Sequence, residues 1–155
     1  VDGTPIQTII DRITGCENVM EEFPGIEAVG HQASKNDRAT GLTVTTDMLT
    51  ATPDVQGIFG MNDPSALGAV LAVEQAGRAD DIIVVGIDGS PEAVEELKRD
   101  GSPFVASATQ NPAEMVRQAV AIAQQIVEGN PPAEKTILIP SVIVTRDNVD
   151  EYAGW

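Results

Sequence analysis

A chain of 155 residues with 42% hydrophobic residues is long enough to bury one substantial core, and its composition is that of a globular protein. The formal net charge of -15 argues against a nucleic-acid-binding role, which needs a basic surface, and against binding to anionic membrane surfaces. Cys16 is the single cysteine and His31 the single histidine, so neither an intramolecular disulfide nor a cysteine-based metal cluster is expected.

Helical and extended patterns alternate along the chain, with short apolar runs between segments of helical periodicity. The predicted strands are residues 26–32, 55–61, 82–87 and 104–108, with further extended stretches at 137–139 and 142–144. The first predicted helix is capped by Asp2 or Thr4 and ends before Pro24-Gly25, and the second begins after Asn36-Asp37 and ends before Thr52-Pro53-Asp54. Three further helices are predicted over residues 65–75, 92–99 and 113–127, and a last helical turn over 147–152. This alternation predicts a parallel α/β sheet with right-handed crossovers. No apolar run is long enough to span a membrane. No secretory signal is read at Val1, and processing or truncation of the N-terminus would erase one.

The run from Ile82 to Ile87 organises the predicted sheet, because it is continuous, apolar and ends in a carboxylate. Such a run suits a strand that is buried on both faces. Asp88 then lies at the carboxyl end of a central strand, where open α/β sheets bind their ligands. We therefore take Asp88 as the centre of a polar binding site.

Three strand ends share one design, in which a capping residue comes directly before a proline at the first helical position. The expected caps are Asp63, Ser90 and Asn111. Polar side chains just upstream of these caps are then available to a ligand, and they are Asn62, Asp88 and Gln110. Two amides and a carboxylate at one sheet edge offer donors and acceptors to a neutral ligand. The alternative is that all of them only form turns.

Several short segments, taken in order, form one pattern over nearly the whole chain. They are Asp11-Arg12-Ile13-Thr14-Gly15, Asn36-Asp37-Arg38 with Gly41, Thr52 to Phe59, Asn62-Asp63, Ala66-Leu67-Gly68-Ala69, Val84 to Gly89, and Val144-Thr145 with Asn148-Val149. Together they resemble the C-terminal half of a type I periplasmic binding protein, closest to the ribose-binding group of sugar ABC-transporter receptors. The resemblance implies a doubly wound, flavodoxin-like α/β lobe whose N-terminal partner lobe is absent.

The resemblance also implies a ligand site. Arg12, Asn62, Asp88 and Gln110 match the positions that hold the sugar in that family, and Arg12 adds a planar cation that donates to two oxygens at once. Asn36 stands where ribose binders carry an aromatic residue that stacks on the sugar, which suggests a more polar or acyclic polyol. The implied mechanism is binding, with no catalytic residue, metal or cofactor: two lobes close on the sugar in the periplasm and present it to a membrane permease.

Length is the largest departure from the family pattern. The resemblance implies that residues 1–155 form the C-terminal lobe and that residues 111–139 normally pack on the missing lobe. The apolar face of the helix over 113–127 then needs a cover. We expect either that the chain is a fragment of a two-lobed receptor or that self-association covers this helix. Cys16 stands where the family usually carries phenylalanine, and we interpret it as a small buried hydrophobic residue.

Two other classes of function are less well supported by the sequence. The effector-binding domain of a LacI-type transcription repressor shares this fold and these sugar contacts, but it needs an N-terminal helix-turn-helix that is not visible in these residues. An enzyme or phospho-receiver is disfavoured because Asp63 and Asp88 lie on different strands, and because no glycine-framed nucleophile accompanies His31 and Ser34.

Overall fold

The computed structural model describes residues 1–3 and 5–155. In this part of the chain the elements are, in order, α1 (Gln7–Glu21), α2 (Arg38–Ala51), β1 (Gly57–Phe59), α3 (Asp63–Gln75), β2 (Ile83–Asp88), α4 (Pro91–Lys98), β3 (Phe104–Thr109), α5 (Pro112–Val127) and β4 (Ile143–Thr145). The strands form one sheet in the order β1-β2-β3-β4. The first three strands are parallel and β4 pairs antiparallel with β3, so the predicted α/β fold with a mainly parallel sheet is confirmed.

The start of α1 differs from the prediction. The helix begins after Ile6, and no side chain caps it by a hydrogen bond. Asp2 pairs instead with Ala33 in an isolated parallel bridge, so it is not the cap. The other proposed cap, Thr4, lies outside the described residues.

Helices α3 and α4 cover one face of the sheet, and α2 packs on α3. The core beneath them is formed by fully buried apolar side chains, among them Val70, Val73, Val84, Leu97 and Phe104. Glycines allow α2 and α3 to approach closely, since a Cβ at Gly68 would lie 2.3 Å from the Arg38 carbonyl oxygen. Packing of this face therefore depends on backbone-to-backbone contact.

The other face of β2 is not covered as predicted. Val84 and Gly86 are buried under the helices, but Ile83 on the opposite side is 55% exposed. The expectation that 82–87 is buried on both faces is thus wrong for this face. The reason is that α1 stands away from it, across a cavity of about 700 Å³ that Ile83 and Val85 help to line.

Residues 26–32 do not form the predicted strand. A strand forms only where a neighbour satisfies its backbone groups, and Asp2 provides such a neighbour only at the end of this segment. The extended stretch predicted at 137–139 likewise lies outside any strand, and residues 146–151 form turns.

Helix α5 lies apart from this core. None of its residues is buried, and Val127 at its end is 88% exposed. The largest exposed apolar side chains along it are Met115, Val116, Val120, Ile126 and Val127. No helix in residues 1–3 and 5–155 is long and apolar enough to cross a membrane.

Candidate ligand-binding site

Asp88 ends β2 in an unusual backbone conformation. Its φ is 140°, in a region that favours glycine, and Gly89 follows with φ 68°. Three hydrogen bonds to the carbonyl oxygens of Asp88 and Gly89 hold this turn. The Gln110 N–H donates to the Asp88 carbonyl at 2.8 Å and Trp155 Nε1–H donates to the same oxygen at 2.9 Å, while the Tyr152 hydroxyl donates to the Gly89 carbonyl at 3.1 Å. The strained turn is therefore fixed by its surroundings.

The Asp88 carboxylate lies between two side-chain donors. Arg12 Nη2 is 3.1 Å from Oδ1, and Gln110 Nε2 donates to that same oxygen. The second oxygen faces the Asp63 N–H at 3.4 Å, at the start of α3. Arg12 also donates from Nη1 to the Met61 carbonyl at 2.8 Å, so its guanidinium joins the ends of β1 and β2. The ion pair is only partly covered, with the Arg12 and Asp88 side chains 19% and 16% exposed.

Asn62 and Asn36 extend the cluster. The Asn62 Nδ2 donates to the Asn36 carbonyl at 3.1 Å, and the Asn62 Oδ1 accepts the Ser65 N–H at 3.0 Å. Asn62 is therefore the cap of α3, and the prediction that Asp63 is the cap is wrong by one residue. Asn36 has φ 64°, which aims its carbonyl at Asn62. Both asparagines are half-buried.

Asp63 does not cap α3 as predicted but forms buried hydrogen bonds. As the first residue of α3 it is fully buried, and its carboxylate accepts the Ser107 hydroxyl at 2.7 Å and the Ser90 N–H at 2.8 Å. Burial raises the pKa of Asp63, and the hydrogen bonds from Ser107 and Ser90 oppose that rise. Gly86 leaves room for it, because a Cβ there would lie 2.5 Å from Asp63 Oδ1. Asp63 thus ties β2, β3 and α4 together beneath Asp88.

The other two caps were predicted correctly. Ser90 accepts the Ala93 N–H at 3.2 Å, and Asn111 accepts the Glu114 N–H at 2.9 Å. Three helix N-termini therefore meet the carboxyl edge of the sheet where Asp88 lies. Their positive ends favour acceptor atoms there, which suits an ionised carboxylate.

The structure brings the predicted site residues together at one sheet edge. They are Arg12, Asn36, Asn62, Asp88 and Gln110, all half-buried. Sequence reasoning missed the contacts of Tyr152 and Trp155 and the buried pairing of Asp63 with Ser107. The one usable signal was that these two aromatic residues are the only tyrosine and the only tryptophan in the sequence.

A neutral, hydroxyl-rich ligand suits this arrangement. The cluster carries one carboxylate, one guanidinium and side-chain amides, and the two charges already offset each other. Donors and acceptors that alternate over one surface complement hydroxyl groups, each of which both donates and accepts. In the described residues no group of three or more His, Cys, Asp or Glu side chains is arranged to hold a metal ion.

Comparison with known proteins decides the family. The family model for the periplasmic binding protein domain matches residues 3–131. The chain belongs to the periplasmic binding protein family. The ribose import binding protein of Salmonella typhimurium is 41% identical over 98 residues, which are 63% of this chain and 32% of that protein.

Solved structures of this family superpose on nearly the whole chain. A solute-binding protein from Actinobacillus succinogenes with bound D-allose aligns with a TM-score of 0.90 and 31% identity, covering 98% of this chain and 52% of the other. One from Bacillus halodurans with bound myo-inositol aligns with a TM-score of 0.85 and 32% identity, covering 97% and 52%. The chain therefore spans about half the length of these periplasmic binding proteins.

Proposed function

We propose that this chain is the C-terminal lobe of an ABC-transporter receptor that captures a sugar or polyol in the periplasm and delivers it to a membrane permease. The observation that carries the proposal is the Asp88 carboxylate, held at the carboxyl edge of the sheet between Arg12 and Gln110 and still partly open to solvent. Open α/β sheets bind ligands at this edge.

Binding would use the charges that the lobe already pairs. The carboxylate of Asp88 accepts from hydroxyls, and the guanidinium of Arg12 donates to neighbouring oxygens, and such charge-assisted bonds are stronger than neutral ones. The side chains of Asn62 and Gln110 add further donors on either side. Because Asp88 is locked by its backbone contacts, little ordering is required when the ligand arrives.

The class of ligand follows from the polar character of the edge. Position 36 carries asparagine and not an aromatic residue that would stack on a flat sugar ring, so a polar sugar or an acyclic polyol fits best. The relatives described above bind ribose, D-allose and myo-inositol according to their names, which are ligands of this size and chemistry.

A second lobe completes the proposed receptor. The exposed apolar side chains of α5 and the following loop give residues 111–139 a surface for that lobe, or for a second copy of this chain. Half of the ligand contacts then come from outside the chain. The isolated chain should accordingly bind sugars weakly, at millimolar rather than micromolar concentrations.

The proposal is tested by NMR titration of the isotope-labelled chain with D-ribose, D-allose, myo-inositol and xylitol. We expect weak binding of at least one compound, with signal shifts confined to the side chains of Arg12, Asn62 and Gln110 and the backbone at Asp88. Asp88→Asn should weaken that binding at least about tenfold, because it removes the charged acceptor.

The matched control is Asp81→Asn, an exposed carboxylate just before the opposite end of the same strand. It should leave the affinity unchanged. If no compound shifts these signals, or if Asp88→Asn binds as well as the unmodified chain, the site assignment is wrong. Submicromolar binding by the isolated chain would contradict the two-lobe mechanism.

A further inference from the structure

Two of the side chains that hold the Asp88 turn come from one short segment, residues 152–155, which we call the aromatic strap. Trp155 Nε1–H donates to the Asp88 carbonyl at 2.9 Å, and the Tyr152 hydroxyl donates to the Gly89 carbonyl at 3.1 Å. Both bonds go to the main chain of the turn. The Asp88 carboxylate therefore keeps its own contacts with Arg12 and Gln110.

The Asp88 carbonyl accepts one hydrogen bond from the sheet and one from the strap. The Gln110 N–H donates to it at 2.8 Å and continues the ladder between β2 and β3. A backbone carbonyl has two lone pairs, and Trp155 uses the second. At φ 140° Asp88 has a conformation that a residue other than glycine keeps only where its surroundings over-determine it. The strap thus adds a second constraint at the strained residue itself.

Tyr152 constrains the next residue of the turn. A Cβ at Gly89 would lie 2.7 Å from the Tyr152 hydroxyl oxygen and 2.7 Å from Thr109 Cγ2, so the turn is enclosed between these two side chains. Burial raises the pKa of the Tyr152 hydroxyl above its ordinary value of 10. The hydroxyl therefore keeps its proton at neutral pH and remains a donor.

The strap is anchored independently of the turn that it holds. Val149 is buried in the core, and Tyr152 packs against the same cluster of apolar side chains. Asn148 ties the segment to β4, because its Oδ1 accepts the Thr145 N–H at 2.8 Å and its Nδ2 donates to the Ile143 carbonyl at 3.0 Å. The core and β4 therefore fix the position from which the two aromatic donors reach the turn.

We propose that Tyr152 and Trp155 are positioning residues of the ligand site, which hold Asp88 in the backbone conformation that places its carboxylate between Arg12 and Gln110. This role rests on the proposed function, since ligand binding at Asp88 is what it supports. Rotation of the Asp88 main chain would move the carboxylate away from both donors. A ligand would then have to order the turn as it binds, and that ordering lowers affinity.

The test uses Tyr152→Phe and Trp155→Phe, each of which removes one donor and keeps an aromatic ring. NMR titration with D-ribose, D-allose, myo-inositol and xylitol should show that each variant binds about fivefold more weakly than the unmodified chain, the effect of one hydrogen bond. The control is Asp150→Asn. It removes an exposed ion pair with Lys98, 3.2 Å long, from the same part of the chain, and it should leave the affinity unchanged.

Hydrogen exchange without ligand separates positioning from general stabilisation. The Gly89 N–H donates to Ser107 Oγ at 3.0 Å, and the Gln110 N–H donates to the Asp88 carbonyl, so both amides report opening of the turn. In the two strap variants they should exchange about tenfold faster. Exchange at Ile83 and Val84, at the other end of β2, should not change. Equal acceleration at all of these amides would mean that the strap only stabilises the fold, and it would overturn the proposal.

The two measurements also distinguish this proposal from the proposed function. If the unmodified chain binds a compound and both variants bind it equally well, Tyr152 and Trp155 have no positioning role, although ligand binding itself stands. If the unmodified chain binds none of the four compounds, the proposed function fails and hydrogen exchange decides on the strap. Faster exchange confined to Gly89 and Gln110 would then support its hold on Asp88, and unchanged exchange would exclude it.

Discussion

Gly68→Ala is expected to destabilise the fold by about 3 kcal/mol, since a new methyl group there has no space. Its Cβ would lie 2.3 Å from the Arg38 carbonyl oxygen, 2.6 Å from the Leu42 nitrogen and 2.9 Å from the Gly41 carbonyl carbon. All of these are backbone atoms, so no side-chain rotation relieves the clash. Helices α2 and α3 would have to separate, which would open the core that they share. Urea unfolding at equilibrium measures the loss.

Gly15→Ala is the matched control for this prediction. Gly15 also lies inside a helix, but no atom from outside its own stretch of helix backbone lies within 4 Å of its added Cβ. Alanine should therefore stabilise the chain by about 0.5–1 kcal/mol through its helix propensity. If both substitutions change the free energy of unfolding by the same amount, close packing of α2 on α3 is not what requires glycine at position 68.

Asp63→Ala is expected to cost about 3 kcal/mol of stability and to loosen the turn at Asp88. The substitution leaves the Ser107 hydroxyl and the Ser90 N–H without the acceptor that they use in a buried site, and each unsatisfied group costs about 1–3 kcal/mol. The Asp63 N–H also faces Asp88 Oδ2. Disorder at the start of α3 should therefore also disturb the Asp88 carboxylate at the edge of the sheet. Denaturant unfolding gives the cost, and the NMR signals of Asp88 and Gly89 report the turn.

The pH dependence of this effect has a definite sign. Burial raises the pKa of Asp63 above its ordinary value of 3.8, so the folded state holds this proton more tightly than the unfolded state. The stabilisation by protonated Asp63 is complete below about pH 4 and is lost as pH rises through the raised pKa. Relative to the non-titrating Asp63→Asn variant, the unmodified chain should therefore lose stability as pH rises through this window.

Measuring both proteins side by side isolates this one group from the other acidic residues. The exposed Asp81→Asn variant should show no comparable trend. A relative stability that increases with pH would mean that the hydrogen bonds from Ser107 and Ser90 outweigh the effect of burial on the pKa of Asp63.

Local signals in the sequence determined where most helices begin and end. Proline after a capping residue marks the starts of α4 and α5, where Ser90 and Asn111 cap as predicted. Gly77 and Gly101 adopt positive φ just after α3 and α4, as residues at helix ends do. These features depend on a few neighbouring residues, so a sequence pattern is enough to predict them.

The sequence also determined the family, and with it the sheet edge at which the candidate site lies. Asn62, Asp88 and Gln110 lie at or just after the ends of parallel strands, so their positions at one edge follow from topology alone. That they bind a ligand stays a prediction. The resemblance to periplasmic binding proteins is confirmed by the match over residues 3–131.

Only the tertiary structure decided which carboxylate is exposed and which is buried. Asn62 and Asp63 are adjacent polar residues before a proline. Because α3 begins one residue earlier than predicted, Asn62 is the cap and the Asp63 side chain is buried in the core. The contacts of Tyr152 and Trp155 on the Asp88 turn join residues more than 60 positions apart, which no local pattern encodes.

The segment 26–32 shows the same limit most clearly. Its composition favours a strand, but a strand is made by its neighbours, and here only Asp2 pairs near its end. Likewise the apolar run of β2 carries no information on whether a helix covers its second face, and Ile83 stays exposed. Hydrophobic patterns indicate which secondary structure a segment is able to form. Whether the segment forms it depends on the neighbouring segments with which it pairs or packs.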